Sequence, residues 1–146
     1  MVSKKRPESA LIIIYAKSTS RVLLMERKDW PGFWQSVTGS LEPGETPEQA
    51  AKRELNEETG LQATDGLLVD RKQINQYQIF DAFLHKYPPG QKTNKEYVFT
   101  FELDTEKDIK MTEHTDMCWL PKADAIEKAF TQTDKKAIED WVQEGT

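Results

Sequence analysis

The chain has one cysteine, Cys118, and two histidines, His85 and His114. A single thiol excludes an intrachain disulfide and a cysteine-rich zinc site, and fits a reducing compartment. The two histidines lack the spacing of a metal-ligand pair and read as ordinary polar positions. Long apolar runs are missing as well. The longest, Ala10–Ala16, is far short of the ~20 residues of a membrane span. Basic residues precede it, as in a signal peptide, but Lys17, Arg21, Glu26 and Arg27 follow and no small-residue cleavage site is evident. It reads as a buried strand, and the expected location is cytoplasmic. Positive charge is also scarce: 20 Lys and Arg face 25 Asp and Glu, for a net charge of −5. That balance argues against a phosphate-neutralising surface for nucleic acid and leaves room for a small basic pocket.

What is present is an ordinary globular balance, 37% hydrophobic and 31% charged over 146 residues. No repeat, low-complexity tract or linker interrupts it, so a single domain over 1–146 with one core is expected. Strand-like runs occupy Ala10–Ala16, Arg21–Arg27 and Phe33–Gly39, then Gly66–Ile74, Gln78–Leu84, Glu96–Leu103 and Met117–Leu120. Pro88-Pro89-Gly90 joins the fifth and sixth as a turn. A helix is marked after the third strand. Thr46 suits its N-cap, Pro47 its first position, Gln49 a capping box and Gly60 the left-handed C-terminal position. Two more helices are predicted over Lys122–Phe130 and Asp134–Gln143, the second capped by Thr133. The order implies an α+β or layered α/β/α fold with a mixed sheet.

Glu54, Glu57 and Glu58 crowd one region of the first helix. Glutamates are good helix formers, and alone the cluster reads as a solvated face. It is also a set of hard oxygen donors of the kind Mg²⁺ or Mn²⁺ prefers, near a loop with glycines at 39 and 44. Arg53 is adjacent and can orient a carboxylate by charge-assisted hydrogen bonding.

The spacing of the whole stretch decides between these readings. Gly39, five residues, Glu45, seven residues, then Arg53-Glu54-Leu55-Asn56-Glu57-Glu58-Thr59-Gly60-Leu61 resembles the Nudix box at every defined position. At residue frequencies near 6–7% each, chance coincidence is roughly 10⁻⁸. The resemblance implies a Nudix-type α/β/α sandwich with a mixed sheet, hydrolysing nucleoside diphosphates linked to another moiety. It implies Mg²⁺, with Mn²⁺ as the alternative, held by Glu54, Glu57 and Glu58 and by the carbonyl of Gly39. It adds a later glutamate, here Glu113, as ligand or base. Either Glu58 or Glu113 would deprotonate water, with Arg53 assisting.

RVLLMERK, FWQSVTGSLEPGE, YQIFDAFLHKYPPG and MTEH…WL are also similar to the dihydroneopterin triphosphate pyrophosphatase branch, which acts on dATP too and serves bacterial folate synthesis. The chain has Val37-Thr38-Gly39 where many sanitising or coenzyme-directed members carry Pro-Gly-Gly, which weighs against an oxidised-nucleotide sanitiser. The resemblance assigns Lys5, Arg27 and Thr38 to a triphosphate pocket. Tyr77, Gln78, Ile79 and Phe80 would hold a flat heterocycle, with Thr131 as a further contact. Lys5 and Arg27 also read as plain surface cations, and Trp34 and Trp119 as core. Two alternatives to pterin hydrolysis are a nucleotide-pool pyrophosphohydrolase and a non-catalytic binding module. The intact carboxylates oppose the latter. The expected partner is a small-molecule triphosphate, with no nucleic acid and no membrane.

Overall fold

The computed structural model describes residues 4–111 and 114–143. Among the described residues seven strands form one mixed sheet: β1 (Glu8–Ala16), β2 (Val22–Arg27), β3 (Trp34–Gln35), β4 (Val37–Ser40), β5 (Leu67–Gln78), β6 (Thr93–Leu103) and β7 (His114–Leu120). The α-helices of the described residues pack on it: α1 (Pro47–Thr59), α2 (Lys122–Lys128) and α3 (Gln132–Trp141).

β1 is the centre of this arrangement. It pairs in parallel with β6 from Glu8↔Lys95 to Ala16↔Leu103. Along its other edge, β4 covers Ser9–Ile12 and β2 joins near Tyr15. Successive strand residues point to opposite faces. Ala10, Ile12 and Ile14 therefore enter one core with Ala51 and Leu55 of α1. Leu11 and Ile13 enter a second core with Ala125, Ala137 and Ile138 of α2 and α3. Both faces are covered, which is why ALIIIYA is an unbroken apolar run. Among the described residues, no helix is long and apolar enough to cross a membrane.

The ends of α1 form as its sequence predicts. Gln49 N–H donates to Thr46 Oγ1 at 3.2 Å and Thr46 N–H to Gln49 Oε1 at 2.9 Å. Gly60 closes the helix at φ 78°, a conformation costly for a residue with a Cβ.

Four expectations are corrected, the first being that Phe33–Gly39 is one strand: it breaks at Ser36 into β3, paired with β2, and β4, paired with β1. Gln78–Leu84 is not a strand: β5 runs on to Gln78, and a 3₁₀ segment follows over Asp81–Lys86. β5 alternates polar residues and carries a bulge near Lys72, φ 57°, so its apolar pattern is too weak to show its length. The aromatic spacing beyond it imitates a strand. The cap of α3 is Thr131, not Thr133, because Thr131 Oγ1 accepts Asp134 N–H at 3.2 Å and Gln132 is already helical. α2 stops at Lys128, because Phe130 N–H turns to Trp34 O at 3.0 Å.

Candidate active site

α1 lies against β4, and this contact organises the acidic end. Glu54 and Glu58 lie ~40° apart around the helix and both are buried, whereas Glu57 is exposed. A Cβ on Gly39 would collide with the Glu54 carboxyl. The strand can pass this close only because residue 39 has no side chain.

Arg53 supplies the cation. Its Nε and Nη2 grip both oxygens of Glu45 at 2.8 Å each, Nη1 reaches Glu54 at 2.6 Å and Glu57 at 3.2 Å, and Nη2 donates to Ser40 O at 2.9 Å. The guanidinium is thereby held firmly protonated, first by its bond to Glu45. It lowers the pKa of Glu45 in return. Glu54 goes the other way: burial raises its pKa against the pull of Glu58 and Arg53. Among the described residues, no three His, Cys, Asp or Glu donors stand preassembled as a metal cluster, and Arg53 stands between Glu54 and Glu57. Glu113, the expected fourth acid, lies outside the described residues.

His114 adjoins this end. It is 4% exposed, with Nε2 3.2 Å from Gln35 Nε2 and 3.7 Å from Glu58 Oε1. Burial, then the charge of Arg27, lowers its pKa to about 4. The ring is neutral at neutral pH, so its approach to Glu58 is not an ion pair.

Two cavities meet here. The larger, about 1320 Å³, is lined by the box carboxylates and by Lys4, Lys5, Arg6, Arg27, Lys28 and Lys86. The smaller, about 440 Å³, is lined by Phe33, Phe80, Phe83, Phe130, Tyr77 and Ile79 among others. Lys5, Arg27, Gln35, Thr38, Gly39 and Lys86 line both. Phe33 and Phe130 stack at 4.2 Å, and the Arg27 guanidinium lies 4.6 Å from the Phe83 ring centre. Arg27 also bonds Asp29 through Nε and Nη2 at 2.7 Å each. Two buried acids, Glu96 and Asp134, complete the smaller cavity. An ion-lined groove opening into an aromatic slot suits a polyphosphate attached to a flat ring.

Comparison with known proteins agrees. A profile of the Nudix domain matches residues 5–141. The chain belongs to the Nudix family. It is 44% identical over 142 residues to the dihydroneopterin triphosphate diphosphatase of Escherichia coli K12, covering 94% of this chain and 93% of that one. It is 38% identical to the Haemophilus influenzae protein of the same name, covering 97% and 91%. The solved structure of the E. coli dihydroneopterin triphosphate pyrophosphohydrolase superposes with a TM-score of 0.93 at 40% identity, covering 97% and 98%.

The Nudix fold thus brings together most of the residues singled out in the sequence. Glu54, Glu57, Glu58, Arg53 and Gly39 line the acidic groove, and Tyr77, Gln78, Ile79, Phe80 and Thr131 line the aromatic slot. Thr131 also caps α3. Trp34 lies outside both cavities, packed on the second core under Lys128 Nζ at 4.4 Å. Arg6 is held by Glu8 at 2.7 Å and by the carbonyls of Glu42 and Glu45. Sequence reasoning missed Gln35, Glu96, Asp134 and three of the slot aromatics, Phe33, Phe83 and Phe130. It also read His114 as an ordinary polar position. Phe83 had a signal, its i, i+3 spacing from Phe80; the others are joined only by the fold.

Proposed function

We propose that this Nudix enzyme hydrolyses dihydroneopterin triphosphate to dihydroneopterin monophosphate and pyrophosphate, with Mg²⁺ as its ion. The observation that carries the reading is the junction of the two cavities at Thr38, Gly39 and Arg27. A triphosphate in the groove delivers its attached ring directly into the aromatic slot. The names of the two bacterial relatives support the pterin.

The donor chemistry fits a hard divalent cation. Glu54 and Glu58 are brought together in a buried corner that Gly39 leaves open, and burial of carboxylates without enough positive charge is costly. Glu54, Glu57 and Glu58 would hold the ion, with the Gly39 carbonyl and Glu113 completing the set. Bound there, the ion supplies charge neutralisation at the phosphates and a lowered pKa for water.

The chain's own residues do the rest. Arg53 keeps Glu45 ionised and tethers Glu54 and Glu57, fixing the orientation of the acidic face. Lys5, Arg27 and Lys86 border the path between the cavities and offset phosphate charge. Water attacks phosphorus, its proton passes to Glu58 or Glu113, and the phosphoanhydride oxygen leaves with pyrophosphate. Positioning and charge stabilisation supply most of the acceleration, as phosphoryl transfer requires. The reading makes the chain a single catalytic domain acting in the cytoplasm on a folate precursor.

A substrate panel tests it. The purified chain in Mg²⁺ should release pyrophosphate from dihydroneopterin triphosphate with a higher kcat/KM than from dATP or oxidised dGTP. The reverse ranking would make it a nucleotide-pool hydrolase using the same groove.

A further inference from the structure

Stacking and phosphate binding leave one feature of the aromatic slot unused, its buried acid at Glu96. Glu96 lies in β6, in register with Asn75 of β5 and Ser9 of β1. It is 4% exposed and lines the slot. No lysine or arginine pairs with it among the described residues. Its hydrogen bonds come from neutral side chains: Asn75 Nδ2 donates to Oε1 at 3.5 Å, and Thr133 bonds the carboxyl from the start of α3. Asp134, the other acid of the slot, is different. Its two oxygens accept Ser36 N–H and Ser36 Oγ–H at 2.8 Å each, fastening α3 to the chain between β3 and β4. Glu96 is therefore the acid with acceptor capacity left for a ligand.

A carboxylate has two oxygens side by side and is matched by two adjacent N–H donors. A 2-amino-4-oxopyrimidine ring presents such an edge: its ring N–H and its exocyclic amino group. Pterins and guanine carry this edge. Hypoxanthine lacks the amino group, and adenine replaces the ring N–H by an acceptor. Thr133, which also lines the slot, has a buried hydroxyl beside the Glu96 carboxyl, free to turn once a ligand edge takes its place there. It can donate to the neighbouring 4-oxo oxygen. We propose that Glu96 is the specificity-determining residue of this enzyme, accepting the paired N–H groups of a 2-amino-4-oxopyrimidine edge. Burial pushes the Glu96 carboxyl up to about 7; paired donors would favour its ionised form.

The inference deepens the pterin reading and rests on it for the natural substrate, but its test does not. Steady-state kcat/KM is measured for dihydroneopterin triphosphate, GTP, ITP and ATP with the wild-type chain and with Glu96→Gln. Wild type should favour GTP over ITP by about 10- to 100-fold, the worth of a hydrogen bond to a charged group. In Glu96→Gln that ratio should fall to within about threefold of unity, with dihydroneopterin triphosphate losing as much as GTP. A structural role alone would lower all four substrates alike and leave the ratio standing. A wild-type ratio near one, or a ratio preserved in Glu96→Gln, overturns the proposal. The wild-type ratio needs no variant, so the proposal stays testable if Glu96→Gln does not fold. A wild-type chain that ranks dihydroneopterin triphosphate below dATP sinks the pterin reading, while the GTP-to-ITP ratio still judges Glu96.

Discussion

The two ends of the substrate path handle buried charge in opposite ways. At the box end, acids are dense and partly compensated from within: one guanidinium bonds Glu45, Glu54 and Glu57. At the heterocycle end there is less charge, yet Glu96 is buried and, among the described residues, pairs with no lysine or arginine. On the proposed reading the first end would hold its shape while ions and phosphates come and go. The second holds a carboxyl bonded by the neutral side chains of Asn75 and Thr133, and on the proposal above a ligand of the right edge would bond it too. On the proposed reading chemistry is concentrated at one end and selection at the other, and variants should separate the two.

The largest effects belong to the box end. Glu58→Gln or Glu57→Gln removes one charge from the acidic face while keeping its shape. Turnover should fall by about 10²–10³-fold or more, with circular dichroism unchanged and KM little altered. Near-wild-type kcat at saturating Mg²⁺ would refute the assignment. Arg53→Ala comes next, with a loss of about 10²-fold and a stability decrease of about 1–3 kcal/mol by urea titration. Arg53→Lys should rescue little, since an ammonium cannot reproduce the two-oxygen grip on Glu45.

A third effect reads the uncompensated acid through pH. The Glu96 pKa lies at about 7 in the folded chain against an ordinary 4.5, through burial. The native state therefore binds this proton more tightly than the unfolded chain. Its stabilising effect is complete below about pH 4.5 and is lost as pH rises towards 7. Asp134, raised by burial from 3.8 to about 6, acts in the same sense. His114, lowered from 6.5 to about 4, acts in the opposite one. Glu96→Gln isolates one contribution. Relative to wild type, the variant should gain on the order of 3 kcal/mol between pH 4.5 and pH 8, at about 1.4 kcal/mol per pKa unit. Urea titrations of metal-free protein read this difference; a constant difference across that range would contradict the buried-acid assignment.

The box end was legible in the sequence because its signals are local. Thr46, Gln49 and Gly60 fix α1, and the Gly39–Gly60 spacing fixes what α1 carries. β1 was legible for the same reason, since a run buried on both faces needs no partner to be recognised. The slot was not. In NKEYVF, Glu96 looks like the outer member of an alternating strand, and only the layer of α3 more than thirty residues later buries it. Asp134 looks like any acid in a first helical turn until Ser36 is found beside it. The aromatic spacing past Gln78 was read as β-structure because propensity cannot see that the backbone has already left the sheet.

The smallest predicted effect sharpens the comparison most. Phe130 is 39% exposed at the slot and stacks on Phe33 at 4.2 Å. Phe33 is 2% exposed, so truncating it would damage the fold along with binding. Phe130→Ala removes ring contact with little core loss. A ring pair contributes about 0.5–1.5 kcal/mol beyond its burial, so KM for dihydroneopterin triphosphate should rise about 3- to 10-fold. Because Phe130 is absent from the lining of the groove proposed for the phosphates, kcat at saturation should stay within about twofold. The GTP-to-ITP ratio should also survive, since stacking does not distinguish two purines that differ by an amino group. A variant that lost kcat rather than KM would mean that the slot positions the phosphates as well as binding the ring, and the division between the two ends would have to be redrawn.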